Sequence, residues 1–335
     1  MARPPLHSPV EFHYRKPVRG SLVWWLRCLG VLALVVLLIR LPKSQELRLV
    51  HMDLSWLGFC MLLTILQLLL DAFIWHWLLS AQKIRYAYPK TLLALLSSNY
   101  LGLITPGHVG EMLAAGYISM DTGITFGYGV SSVVMKKILN WIVVVGFGLW
   151  GLGLMAHIPF SKGVEWIVLT SVAVLVILAC GIGLWVVSLR QLAKKWQKLS
   201  PWQIEMTEFW SGMRHLFSWR LLIPLGIGVV SFTVLFLQME AVLRALGLHL
   251  PFLLVAQIVS FSRLVARIIP ISVVGFGSKD AAVIGMLTQH GVDPSVGLTA
   301  TILLLLCSYL LTLLLSAVSW WIKPLVIRRI SRVHD

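Results

Sequence analysis

Charged residues lie inside stretches of this chain that are otherwise hydrophobic. Lys136 and Lys137 are neighbours in one such stretch, and Arg263 and Arg267 stand four residues apart in another. An ionisable group at bilayer depth costs about 2.5–3.5 kcal/mol or more on insertion scales, so each one indicates a function. Residues four apart share a helix face, and two guanidinium groups on one face suit bidentate binding of a phosphate.

Two hydrophobic stretches, the second of which contains Arg263 and Arg267, are interrupted by glycine and proline. The interrupting residues are Pro106, Gly107 and Gly110 in the first stretch, and Pro270, Gly275 and Gly277 in the second. Unpaired backbone groups at membrane depth are costly unless protein or water satisfies them, so such breaks are typical of a substrate cavity. The alternative is that these glycines only let helices pack closely.

Seven residues form the predicted substrate-binding set: Glu111, Lys136, Lys137, Arg263, Arg267, Lys279 and Asp280. Adjacent side chains cannot share a helix face, so we predict that Lys137 faces the cavity and that Lys136 snorkels toward the cytoplasm. The two arginines either bind phosphate or close a structural network with Glu111 or Asp280. Glu111 itself either stabilises a helix start or takes part in proton coupling.

The other ionisable residues in hydrophobic stretches are predicted to be ordinary. Asp71 and Glu240 are expected near the ends of their spans, and His76 and His108 are expected to be solvated. The four cysteines stand singly, which suggests neither a disulfide framework nor a metal site. No zinc-protease, P-loop, nucleophile-elbow or dinucleotide-binding motif is present, so we expect no enzyme activity and no cofactor.

Composition places the chain in a membrane. Of its 335 residues, 58% are hydrophobic and 12% are charged, and several hydrophobic runs are longer than about 18 residues. The run after the basic N-terminal segment is too long for a secretory signal peptide, so we predict a retained first span. The net charge of +15 does not indicate nucleic acid, because the charges follow membrane topology.

Hydropathy predicts six full spans, at 22–41, 54–79, 128–156, 166–189, 221–243 and 297–322, and two re-entrant hairpins, at 91–120 and 252–290. With both hairpins re-entrant, the face that holds the termini carries a large excess of basic over acidic residues, whereas the opposite face is balanced. The positive-inside rule then places both termini in the cytoplasm. The alternative is a topology with eight spans, in which the hairpin arms cross the membrane fully.

The predicted organisation has five parts: a cytoplasmic N-terminal segment (1–21), a first membrane half (22–189), a cytoplasmic amphipathic segment (190–220), a second membrane half (221–322) and a basic cytoplasmic tail (323–335). In the amphipathic segment, Ser200 and Pro201 predict a helix start. One hydrophobic face then contains Trp202, Met206, Phe209, Trp210, Met213, Leu216 and Phe217. That face either lies in the membrane interface or packs inside the protein. The glycine-rich stretch 146–153 predicts close helix packing.

The two halves match weakly at an offset of 168 residues. PGHVGE at 106–111 aligns with VGFGSK at 274–279, Gly123 with Gly291, and Thr125 with Asp293. The predicted topology opens the first hairpin from the cytoplasm and the second from outside. The halves are therefore predicted to be inverted copies.

These two motif regions resemble the transmembrane region of lysylphosphatidylglycerol synthases and the YbhN-like, flippase-like integral membrane proteins. The resemblance covers about 98–143 and 265–316. It implies movement of a lipid between leaflets, and we expect no lipid synthesis by this chain. The family's acidic-Arg pair and following Asp correspond to Lys136, Lys137 and Asn140, and an Arg of its second half corresponds to Leu305. The site is therefore more positive than the family pattern.

The sequence thus predicts an all-α polytopic membrane protein, built as an inverted repeat with about six full spans and two broken re-entrant helical hairpins. The predicted function is a flippase for a lipid with an anionic headgroup, of the phospholipid or polyprenyl-phosphate type, in the bacterial cytoplasmic membrane. Expected partners are membrane lipids and either further copies of the chain or a partner membrane enzyme, but no nucleic acid. The alternative is a non-transporting accessory or scaffold subunit of a lipid- or glycan-modifying enzyme.

Overall fold

Long helices make up most of the computed structural model, which describes residues 12–14, 52–104, 106–155, 201–268, 272–273 and 276–327. The α-helices are α1 (Leu54–Ala81), α2 (Tyr88–Ile104), α3 (Ala114–Thr122), α4 (Phe126–Met155), α5 (Pro201–Leu216), α6 (Leu222–Ala245), α7 (Phe252–Ile268), α8 (Ser278–Gln289), α9 (Pro294–Leu304) and α10 (Leu311–Ile322). Short 3₁₀ helices at Pro106–Leu113 and Trp219–Leu221 precede α3 and α6, and a π-helical segment, Leu305–Leu310, joins α9 to α10. The strands are β1 (Phe12–Tyr14), β2 (Ser272–Val273), β3 (Phe276–Gly277) and β4 (Leu325–Ile327).

Four helical stretches are long and hydrophobic enough to cross a membrane. They are Leu54–Ala81, Phe126–Leu152, Trp219–Ala245 and Pro294–Ile322, and they confirm the four predicted spans that fall on described residues. The predicted spans 22–41 and 166–189 lie outside the described residues. Large hydrophobic side chains are exposed along the four helices, among them Leu62, Leu222 and Trp321, as expected of surfaces that face lipid.

Both predicted hairpins are interrupted in their middles. In the first, α2 ends at Ile104, the 3₁₀ helix begins at Pro106, and α3 follows it. In the second, α7 ends at Ile268, and the antiparallel ribbon of β2 and β3 lies between it and α8. In each hairpin the second arm folds back against the first, so the chain reverses direction at the break.

Equivalent elements of the two halves keep the predicted spacing. Helices α1 and α6 begin 168 residues apart, at Leu54 and Leu222, and the same offset separates the starts of α4 and α9. The first hairpin arms, α2 and α7, are both 17 residues long. Gly123 and Gly291 end the two second arms with φ angles of 71° and 81°, a left-handed conformation that glycine adopts without steric cost.

The equivalent helices α1 and α6 pack side by side in opposite directions. The N–H group of Asp53, which caps the start of α1, donates to the carbonyl of Ala245 at the end of α6 (3.2 Å). Helix α4 packs on α7, and α10 packs on α2 in the matching position of the other half. This reciprocal packing supports the predicted inverted repeat.

Helix α5 packs inside the protein, so the second of the two interpretations of its hydrophobic face describes it better. It begins at Pro201, as predicted. Met213 and Leu216 are buried against Met135 and Leu139 of α4. Only part of the predicted face remains outside, since Phe217 is exposed.

A polar clamp ties the end of α10 to the first hairpin. Lys323 forms an ion pair with Asp121 of α3 (Nζ–Oδ2 2.5 Å), and Tyr86 donates a hydrogen bond to the same carboxylate (2.6 Å). Burial, together with the hydrogen bond to Asp121, raises the pKa of Tyr86, so this phenol keeps its proton. Tyr117 of α3 donates to the carbonyl of Lys323 (2.6 Å). The antiparallel ribbon of β1 and β4 follows directly after the clamp.

Candidate functional site

The first hairpin and α4 meet at an ion pair. The Nζ atom of Lys137 lies 3.1 Å from Oε2 of Glu111, and both side chains are half-buried. Glu111 lies in the 3₁₀ helix before α3, so the α-helical arm begins three residues later than the sequence suggested. Through this pair, Lys137 faces the interrupted hairpin.

The same face of α4 reaches the second hairpin one turn further along. The guanidinium of Arg267 lies over the ring of Trp141, 5.2 Å from its centroid, at a distance typical of a cation–π contact. Trp141 follows Lys137 by four residues, so the two side chains share a helix face. One face of α4 therefore contacts both interrupted hairpins.

Arg263 and Arg267 stand one turn apart on α7, close to its broken end. Arg267 interacts electrostatically with Glu111, and Arg263 with Asp280. Within the described part of the chain, neither guanidinium makes a hydrogen bond or an ion pair within 4 Å. Among the described residues, the structural network proposed from sequence is thus present only as longer-range attraction.

Lys279 and Asp280 begin α8 on the other side of the second break. Their charged groups are 3.7 Å apart (Nζ–Oδ1), and Asp280 is buried. Asp280 also accepts a hydrogen bond from the N–H group of Gly277 (2.9 Å), which holds the helix start. Lys279 interacts electrostatically with Arg263, so this pair joins the arginines.

Asp71 is a member of the site that the sequence reasoning missed. It was expected near a span end, but it lies ten residues before the end of α1, about 15 Å along the helix. Asp71 accepts a hydrogen bond from Ser231 of α6 (3.2 Å) and interacts electrostatically with Lys136 and Glu111. Lys136 therefore attracts a partly buried carboxylate of α1.

We call the resulting group the charged cluster: Asp71, Glu111, Lys136, Lys137, Arg263, Arg267, Lys279 and Asp280. All seven predicted binding residues belong to it, linked by the contacts, attractions and like-charge repulsions above. Lys137 is eleven residues from the start of α4, about 16 Å along its axis. Asp71 lies at a similar distance from the end of α1, so both are well inside helices long enough to cross a membrane.

Glycines bring these backbones close enough for the cluster to form. A Cβ atom on Gly110 would lie 2.4 Å from the carbonyl carbon of Leu101, and one on Gly151 would lie 2.8 Å from the carbonyl oxygen of Gln257. Close packing by the glycine-rich stretch 146–153 is thereby confirmed for Gly148 and Gly151, both of which contact α7. Glycine at these positions permits approach that any side chain would block.

Four of the six glycine and proline residues predicted to interrupt the hairpins lie at described positions. Pro106 and Gly107 begin the first 3₁₀ helix, Gly110 packs within it, and Gly277 directly precedes α8. Pro270 and Gly275 lie outside the described residues. Glu240, predicted at a span end, forms an ion pair with Arg244 near the end of α6 (2.5 Å), outside the charged cluster.

Comparisons with known proteins identify related membrane proteins. The family model described as "Lysylphosphatidylglycerol synthase TM region" matches residues 23–316. The chain is similar to the UPF0104 membrane protein MJ1595 of Methanocaldococcus jannaschii, with 22% identity over 286 residues that cover 79% of this chain and 83% of the relative. No solved structure matches.

Proposed function

Because the chain belongs to the family of the lysylphosphatidylglycerol synthase transmembrane region, we propose that this multi-pass membrane protein moves a lipid with an anionic headgroup between the two leaflets. The observation that carries the proposal is the pair of guanidinium groups of Arg263 and Arg267 on α7, inside the charged cluster. Neither has an ion-pair partner within 4 Å among the described residues, and Arg267 lies over Trp141. Arginine is well suited to phosphate because its planar donors bind two oxygens at once.

The position of the cluster favours transport over surface binding. Charged groups within membrane-spanning helices mark substrate or ion pathways, since such groups are costly where they face lipid. In inverted-repeat transporters the substrate site lies near the midplane, where broken helices meet. Here both breaks approach one face of α4, through the Lys137–Glu111 pair and the Arg267–Trp141 contact.

In the proposed mechanism the phosphate binds Arg263 and Arg267 while the hydrophobic tails stay in the bilayer. Glu111 and Asp280 hold the neighbouring lysines, which keeps the cationic side chains in place without a ligand. The two halves then rock around the fixed site and expose it to each leaflet in turn. We propose the bacterial cytoplasmic membrane as the location, with both termini in the cytoplasm, and we propose transport without a chemical reaction on the lipid.

The alternative is an accessory subunit that positions a lipid- or glycan-modifying enzyme. For that function, the hydrophobic face of the amphipathic helix α5 would be the docking surface. That surface is reduced, because Met213 and Leu216 of α5 are buried against α4. The transport function requires that the protein alone exchanges lipid between leaflets, whereas the accessory function does not.

Leaflet exchange in proteoliposomes tests the proposal. The purified protein is reconstituted with a fluorescent anionic phospholipid, and a membrane-impermeant quencher reports which molecules reach the outer leaflet. The wild type is expected to expose the inner-leaflet probe, and Arg267→Ala to abolish this exchange. Arg244→Ala is the matched control, because Arg244 lies outside the cluster, paired with Glu240. Exchange by the wild type no faster than in empty liposomes would favour the accessory function.

A further inference from the structure

The charges of the cluster do not balance. Its eight residues comprise two arginines, three lysines and three carboxylates, which leaves a surplus of two positive charges. Uncompensated charge is costly in a medium of low dielectric constant, and more so than in water. The size of the surplus therefore indicates the negative charge of the ligand that would balance it.

The surplus lies on the two arginines. Lys137 pairs with Glu111 at 3.1 Å, Lys279 with Asp280 at 3.7 Å, and Lys136 attracts Asp71. Arg263 and Arg267 repel each other from adjacent turns of α7, and neither has an ion-pair partner among the described residues. The two positive charges that the carboxylates leave uncompensated therefore belong to two guanidinium groups one helical turn apart.

We infer that the headgroup bound here is a dianionic phosphate, that is, a phosphomonoester or a diphosphate, rather than the singly charged phosphodiester of ordinary anionic phospholipids. The inference rests on the proposed function and narrows its substrate class. A dianion neutralises both guanidinium groups, and a terminal phosphate has three free oxygens that two arginines can share. A phosphodiester leaves one positive charge, and an aminoacylated headgroup adds further positive charge to the site.

Paired measurements on the full-length protein test this inference. Phosphatidic acid, a phosphomonoester, and phosphatidylglycerol, a phosphodiester, are compared with identical acyl chains at a pH of about 7, above the second phosphate pKa of about 6. Binding is measured in nanodiscs by native mass spectrometry, and exchange is measured in proteoliposomes. Phosphatidic acid is expected to bind at least about tenfold more tightly. A third arm with diacylglycerol diphosphate separates the monoester from the diphosphate.

The outcomes separate the inference from the function. Exchange without a preference for the dianion would overturn the inference and leave the proposed function standing. A preference in binding without any exchange would support the inference and overturn the function. Neither binding nor exchange of any of the three lipids would overturn both.

A charge variant distinguishes charge matching from a merely structural role. Arg267→Gln lowers the surplus to one, so the ratio of phosphatidic acid to phosphatidylglycerol binding should fall about tenfold. Arg267→Lys keeps the charge and should keep most of the preference, although it loses the bidentate donors. Equal weakening of both lipids by Arg267→Gln, with the ratio unchanged, would contradict the inference. Arg244→Gln is the control, because it removes an arginine without touching the cluster.

Discussion

The ammonium group of Lys137 lies 3.1 Å from the carboxylate of Glu111 and joins a membrane-spanning helix to an interrupted hairpin. On the same face of α4, Trp141 contacts Arg267 at the end of the other hairpin's first arm. These two contacts make α4 the element on which both breaks converge. Changes to either contact should therefore alter the site as a whole.

A double-mutant cycle on Lys137 and Glu111 measures the ion pair. Each single change, Lys137→Met or Glu111→Gln, leaves a half-buried charge without its partner and should lower the free energy of unfolding. The double variant should be more stable than the sum of the two losses predicts, by about 1 kcal/mol. Equilibrium unfolding in mixed detergent micelles gives the four values. Additivity within about 0.3 kcal/mol would show that the pair is not coupled.

Replacement of Gly110 should disrupt the first break. The added methyl group of Gly110→Ala would lie 2.4–2.6 Å from backbone atoms of Leu101 and Gly102, which cannot move aside as a side chain can. A loss of about 1–3 kcal/mol in unfolding free energy is expected. Gly58→Ala in α1 is the control, because nothing lies within 4 Å of the new methyl group. Equal melting temperatures for the two variants would count against the close packing of the break.

Gly151 should control the contact between α4 and α7. Gly151→Ala would place a methyl group 2.8 Å from the carbonyl oxygen of Gln257 and push the helices apart. We expect lower stability by about 1–3 kcal/mol and slower lipid exchange, because Arg267 moves with α7. Gly146→Ala in the same helix meets nothing within 4 Å and should retain wild-type exchange. Similar exchange rates in both variants would show that this packing does not position the site.

The clamp at Asp121 should hold the first hairpin to the end of α10. Asp121→Asn removes the ion pair with Lys323, so the amide hydrogens of α3 should exchange with deuterium faster than in the wild type. Asp293→Asn is the matched control, since Asn also caps the start of α9. Hydrogen exchange followed by mass spectrometry reports both. Unchanged protection of α3 in Asp121→Asn would show that the clamp does not restrain it.

Much of the fold follows from hydropathy and glycine spacing. The four described spans, the two interrupted hairpins and the glycine ends at Gly123 and Gly291 all depend on local sequence. Local rules fix these features, because span length is set by the bilayer and left-handed ends require glycine. The seven predicted binding residues were selected for a similar reason, since charge inside a hydrophobic run is conspicuous.

Contacts between distant elements were harder to predict. The sequence does not show that Asp71 lies opposite Lys136, because this pairing depends on how α1 and α6 pack against α4. The central position of Asp71 in its span was the available signal. Likewise, the hydrophobic face of α5 is compatible with lipid or with protein, and only its packing on α4 separates the two.

The most direct measurement is a cryo-electron microscopy map of the protein in nanodiscs that contain phosphatidic acid. The account predicts headgroup density between the guanidinium groups of Arg263 and Arg267, near the bilayer midplane and within reach of Trp141. Headgroup density confined to the two membrane surfaces, with acyl chains around both arginines, would contradict it.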